Sequence, residues 1–202
     1  QRQMCIRDSS STDSNSINLG SAISFLDDGP SITVSATAPS AASLQVDESD
    51  LTTNVTVNFT GQFSNTPIYG ADDQGSVTSV YSLGIKATAQ DSGLVDTATG
   101  QKVYLYLESG VVVGRVGVAG ADDANGNISF TVTNNNGSLT LDQQRAIVHP
   151  TTNNNEPRSL AAADLVTLTR TDTIVDKDGD SSTGSNSINL GSAISFLDDG
   201  PS

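Results

Sequence analysis

The sequence predicts an all-β fold, an antiparallel Ig-like β-sandwich with one short helix at most. Three observations carry that expectation. Short runs place apolar or aromatic side chains at every second position, the runs are rich in β-branched residues, and Gly, Asn and Asp punctuate them. Several half-buried strands joined by such turns bury their apolar faces as two packed sheets.

The elements follow in order. SITVSAT (31–37), NVTVNFTGQF (54–63) and SVYSLGIKATA (79–89) alternate cleanly. KVYLYLESGVVVGRVGV (102–118) reads as one long alternating run, and NISFTVT (127–133) and GSLTLD (137–142) come after it. DLVTLTRTDTIV (164–175) and INLGSAISF (188–196) close the series. DTATGQ (96–101) and NNNGS (134–138) offer Gly or Asn where a positive φ is needed, so each joins two hairpin strands. The one helical candidate is TLDQQRAIVH (140–149), with Asp142 as its cap and Pro150 as its stop. TTNNNEPRSLAAADL (151–165) reads as a polar surface loop with room for one helical turn. Aromatic residues are few, so the core falls to Val, Ile, Leu and Ala with a few Phe and Tyr. About 170 residues suffice to bury such a core in one sandwich.

The domain organisation rests on a repeat. SNSINLGSAISFLDDGPS occupies residues 14–31 and returns unchanged at 185–202, which sets a period of 171 residues. That period is the size of a domain and too long for a solenoid unit. Residues 32–202 are therefore expected to be one complete repeat, and residues 10–31 the last strand and linker of a preceding one. Ile17 to Phe25 should then lack packing partners, while Ile188 to Phe196 sit in a sheet. Residues 1–9, QRQMCIRDS, fit neither copy and hold the only Met and the only Cys. MCIRDS is the translation of a common sequencing-adapter end, so this stretch is set aside as an artefact.

Composition narrows the function. The net charge is −14, and it becomes −15 without residues 1–9. An acidic chain suits neither nucleic acid nor an anionic membrane, both of which demand basic patches. No apolar run is long enough to span a bilayer. Beyond residue 9 there is no cysteine, which rules out disulfides, thiol catalysis and Cys-ligated zinc. An extracellular protein stapled without disulfides commonly uses bound metal, and the acid surplus points the same way.

The sharpest chemical feature is DTIVDKDGDS (172–181). Asp176, Asp178 and Asp180 alternate around Gly179, so a looped backbone can aim all three carboxylates at one centre. Hard oxygen ligands at such spacing beside a Gly suit Ca²⁺. The twelfth position of an EF-hand counted from Asp176 is Ser187, so the loop is not an EF-hand. A solvated acidic turn is the plainer alternative. LDDGP recurs in both copies, and Asp27, Asp28, Asp198 and Asp199 are candidate ligands at a seam between neighbouring repeats. VDES (46–49) lies shortly downstream, so Asp47 and Glu48 are expected to approach that seam. GADDQGS (70–76) and GADDANGN (120–127) read first as ordinary turns. His149 is the only histidine, and with no nucleophile elbow it reads as a packed or capping residue. No catalytic residue is expected, and the chain is not expected to be an enzyme.

VDES, the block YSLGIKATAQDSGLVDTATGQKVYLYLESGVVVGRVG (81–117), GSLTLDQQRAIVH and DKDGD followed by ISFLDDGPS together resemble the giant repetitive adhesins of Gram-negative bacteria. These are the RTX-type, biofilm-associated proteins exported by type I secretion. The resemblance spans nearly all of residues 32–202 and implies a calcium-stiffened extender domain that holds a distal adhesive tip away from the cell. It also implies an extracellular or cell-surface location, with identical repeats in tandem as the partners. The glycine-rich nonapeptides of the RTX β-roll are absent from this stretch. The alternative is a glycan- or surface-binding module, with Tyr69, Tyr81, Tyr104 and Tyr106 as its platform.

Overall fold

A computed structural model describes residues 14–150 and 156–198. The strands in chain order are β1 (Ser31–Ala36), β2 (Leu44–Asp47), β3 (Val55–Asn58), β4 (Phe63–Ile68), β5 (Gln74–Ile85), β6 (Gln90–Val95) and β7 (Lys102–Glu108). They continue as β8 (Val111–Val116), β9 (Ile128–Asn135), β10 (Ser138–Gln143), β11 (Pro157–Ser159), β12 (Val166–Asp176), β13 (Ser181–Asn189) and β14 (Ile194–Leu197). The fold is an all-β sandwich. One layer is a six-stranded antiparallel sheet ordered β3-β10-β9-β8-β7-β6. Facing it are the sheets β13-β12-β5 and β11-β14-β2, and the two-stranded ribbon β1-β4 completes the fold.

Alternation builds the core. In β9 and β10, Phe130, Val132, Leu139 and Leu141 point inward, and β7 and β8 add Val103, Leu105 and Val112. They form one cluster with Leu44, Val46, Val166, Leu168, Ile188 and Phe196 from the other sheets. Phe130 and Phe196 meet across the layers with ring centroids 5.2 Å apart. Each fully buried Leu or Phe contributes about 1.5–3 kcal/mol of transfer free energy, so this contiguous cluster is the main source of stability.

The structure corrects four expectations. TLDQQRAIVH is not helical: its first residues complete β10, whose inward Leu139 and Leu141 pair with β9 and β3. The rest lies extended against β6, with Val148 N–H donating to the Val95 carbonyl and Thr97 N–H to Ala146. Burial of alternate leucines outweighs helix propensity there. Among the described residues the helical content is two 3-10 turns, Thr60–Gln62 and Ala163–Leu165, the second inside the loop expected to hold one.

Residues 102–118 are a hairpin rather than one run. Ser109 and Gly110 take φ values of 51° and 84°, the doubly positive turn that matches strand twist. INLGSAISF breaks at Leu190–Ala193, so Asn189 ends β13 and Ile194 opens β14. Finally, the sandwich is not wholly antiparallel, because β14 runs parallel to β2.

The two identical stretches differ sharply in burial. Phe25 is 94 % exposed, while its counterpart Phe196 is 0 % exposed, and Ile17, Leu19 and Ile23 are likewise exposed where Ile188, Leu190 and Ile194 are buried. The same apolar pattern folds into a sheet only where β2, β11 and β12 supply partners.

Candidate metal centre

Strand register brings three segments to one place. β12 pairs antiparallel with β5 so that Asp176 stands opposite Gln74. The loop after β12 therefore lies beside the loop before β5. β1 pairs with β4 with Ser31 opposite Ile68, which carries residues 27–30 to the same loop. Gly70 permits the close approach. A Cβ there would stand 2.4 Å from the Asp28 carbonyl oxygen, and its φ of +66° disfavours any side chain.

The β12–β13 loop is organised by Asp176, which is only 4 % exposed. Its Oδ1 accepts the backbone N–H groups of Gly179 at 3.1 Å and Asp180 at 2.8 Å. Its Oδ2 is buried and has no hydrogen-bond partner among the described residues. A buried carboxylate oxygen left bare costs on the order of 1–3 kcal/mol unless something binds it. Carboxylate oxygens of Asp176, Asp178 and Asp180 lie within 4.8 Å of one another, and so do those of Asp27, Asp72 and Asp178. Oxygens around one Ca²⁺ at 2.3–2.6 Å stand at most about 5 Å apart, so either set fits a single ion.

The electrostatics agree. The Asp178 carboxyl is pushed above its usual range, first by its hydrogen bond to Asp176, then by slight desolvation and the charges of Asp176 and Asp72. Asp180 is raised likewise, first by its hydrogen bond to Asp27 and then by the Asp27 charge. Lys177, in the same loop, pairs with Asp73 at 3.3 Å. The donor set is all oxygen, which suits hard Ca²⁺.

A second group forms elsewhere. The parallel register sets Leu197 beside Asp47, so the next residues, Asp198 and Glu48, fall together. Glu48 N–H donates to the Leu197 carbonyl at 3.1 Å. Glu48 Oε1 accepts from Gln143 Nε2 at 2.6 Å and from the Ile147 backbone N–H at 2.8 Å. Burial pushes its carboxyl above the ordinary range, against the pull of those two donors and of His149. His149 Nε2 lies 3.5 Å from Glu48 Oε1, and ligand atoms of Glu48, His149 and Asp198 all lie within 4.8 Å.

The structure thus gathers Asp27, Asp176, Asp178 and Asp180 at one place, and Glu48 with Asp198 at another. Glu48 does not join Asp27: it meets the second LDDGP copy, because the parallel β2–β14 pairing decides its neighbour. Asp47 joins neither group and caps its own turn, its Oδ1 accepting Ser49 N–H at 2.9 Å. Asp28 also stands outside both groups, with its carbonyl against Gly70. Asp199 lies outside the described residues.

Two members were missed in the sequence. Asp72 looked like turn chemistry, and only the β5–β12 register gives it a role. His149 was read as packing, and its neighbours come from strands about a hundred residues upstream and fifty downstream in the chain. GADDANGN is turn chemistry, with Asp123 Oδ1 accepting Asn125 N–H at 2.9 Å. Three of the four tyrosines are engaged by the protein itself, while the Tyr69 hydroxyl is buried without a hydrogen-bond partner among the described residues. Tyr81 packs edge-on against Phe63, Tyr106 donates to Asp122 Oδ2 at 3.0 Å, and Tyr104 donates to the Gly120 carbonyl at 3.2 Å.

In a comparison with known families, residues 43–191 fit the family described as a domain of unknown function (DUF5801). Neither a curated protein nor a solved structure matches the chain.

Proposed function

The chain belongs to the family of domains of unknown function DUF5801, and from that premise we propose that it is a calcium-stabilised structural spacer repeat of a cell-surface or secreted bacterial adhesin. It contributes to adhesion and biofilm formation by extending a distal binding region. The observation that carries this reading is the convergence of Asp27, from the segment ahead of β1, with Asp72 and Asp178 of the sandwich. Beside them lies the buried, unpartnered Oδ2 of Asp176. Like charges at this spacing repel, and a divalent cation between them turns repulsion into attraction.

Such an ion ties the incoming chain to the body of the domain and fixes the angle between successive units. That is the mechanical requirement of a spacer. The exact return of LDDGP after 171 residues supports a tandem arrangement in which each seam repeats the same chemistry. Without calcium the seam stays loose, and metal binding outside the cell fixes it.

The test is small-angle scattering from tandem repeats. In millimolar calcium the maximum dimension should grow linearly with repeat number, and in EDTA the same chain should become shorter and flexible. Indistinguishable scattering in the two buffers refutes the stiffening role. Selective binding of one repeat to a glycan array would favour the ligand-binding alternative instead.

A further inference from the structure

We infer that Glu48, His149 and Asp198 form a second metal site, suited to a borderline dication such as Zn²⁺, that fastens the outgoing segment after β14 to the body of the domain. The inference does not rest on the spacer reading, because it concerns a different cluster and a different class of ion, although Asp198 is the second-copy counterpart of Asp27 and in a tandem array its two carboxylate oxygens serve one ion each.

The strongest observation is the histidine. Its side chain is only 3 % exposed, yet neither ring nitrogen has a hydrogen-bond partner among the described residues. A buried imidazole normally places at least one nitrogen in a hydrogen bond, and leaving both bare is costly. The contact with Glu48 at 3.5 Å does not serve as that bond. The separation is instead the right size for two ligands on one tetrahedral ion. Ligands about 2.0–2.1 Å from zinc stand roughly 3.3–3.4 Å apart along an edge of the tetrahedron. Asp198 would need to close by at most about 1.5 Å from the 4.8 Å limit of the group to reach the same spacing.

The surroundings are those of a built site. Gln143 Nε2 and the Ile147 N–H hold Glu48 Oε1 in place, as outer donors orient a ligating carboxylate. Glu48 is itself buried, so its charge lacks solvent and gains from a cation beside it. One imidazole and two carboxylates match zinc better than calcium, which prefers six to eight oxygens. Because Asp198 stands one residue beyond β14, the ion bridges the last strand to β2 and to the segment after β10.

The lone histidine makes the test direct. A ¹⁵N-labelled chain without a histidine tag gives one imidazole in a long-range ¹H–¹⁵N spectrum, and Zn²⁺ is titrated into it. One equivalent should move a single ring nitrogen of His149, with calcium in excess leaving that shift in place. In competition against a chromophoric chelator, His149→Gln should weaken zinc binding by at least about tenfold, since loss of an outer-shell partner alone costs 10–100-fold. Asp72→Asn, in the other group, should leave zinc affinity unchanged. An imidazole that ignores zinc overturns the inference, as does zinc binding that Asp72→Asn weakens and His149→Gln does not. If His149→Gln fails to fold, the spectrum of the native chain decides alone.

Discussion

Replacing Asp178 with Asn should shift thermal stability in opposite directions according to whether calcium is present. Asp178 is exposed, so the change disturbs no core packing, and it is the one residue common to both carboxylate sets at the seam. Without calcium its charge is opposed by Asp176 and Asp72, which help to raise its pKa. Asn removes that repulsion, so the variant in EDTA should melt above the wild type. With calcium the wild type gains the linkage free energy of an ion bound only by the folded state. For a weak extracellular site of about 10⁻⁴–10⁻³ M and about 10 mM calcium, that gain is roughly 1.4–2.7 kcal/mol. In a domain of this size it raises Tm by about 3–10 °C. The variant should lose most of this rise and melt below the wild type. Scanning calorimetry of both proteins in both buffers reads the crossing. A wild-type Tm that ignores calcium refutes the reasoning, and so does a variant equally destabilised in both buffers.

Three further outcomes follow from the geometry. Gly70→Ala puts a Cβ against the Asp28 carbonyl at a positive φ, so it should displace the incoming segment, weaken calcium binding and lower the Tm by a few degrees in EDTA as well; calcium titration with calorimetry checks both. Phe196→Ala opens the core beside Phe130 and should cost about 3–5 kcal/mol in urea unfolding. Arg145→Ala strips the buried Asp96 of its bidentate partner at 2.7 and 3.0 Å and should cost about 3 kcal/mol near neutral pH. Burial works to raise the Asp96 pKa, but Arg145 and Thr99 together hold it below the usual value. Its contribution is therefore present above the ordinary carboxylate pKa and drains as pH falls through the depressed one. The Arg145→Ala variant should show a flatter stability curve across that acid window.

Local chemistry was legible in the sequence, and long-range pairing was not. NNNGS was readable as a hairpin because Asn136 and Gly137 take the positive φ values of 50° and 86° that their side chains allow. The equivalent turn at Ser109–Gly110 was hidden, since Leu107 and Val111 continue the alternation across it. The helix expected at 140–149 failed for a related reason. Its polar residues mimic a capped helix, while Leu139 and Leu141 obey the period of β10. At the seam, Asp176, Asp178 and Asp180 could be singled out from spacing alone because one short loop holds them all. Asp72 needed the β5–β12 register. Glu48 and Asp198 needed a parallel pairing of strands about 150 residues apart, which no local pattern encodes.

The central claim is that the carboxylates around Asp176 hold calcium. Isothermal titration of calcium into the metal-free chain tests it most directly, with an Asp176→Asn, Asp178→Asn double variant as the comparison. The account predicts saturable binding with a dissociation constant on the order of 10⁻⁴–10⁻³ M in the wild type, and its loss in the variant. Absence of saturable binding at millimolar calcium, or equal binding by the two proteins, would contradict it.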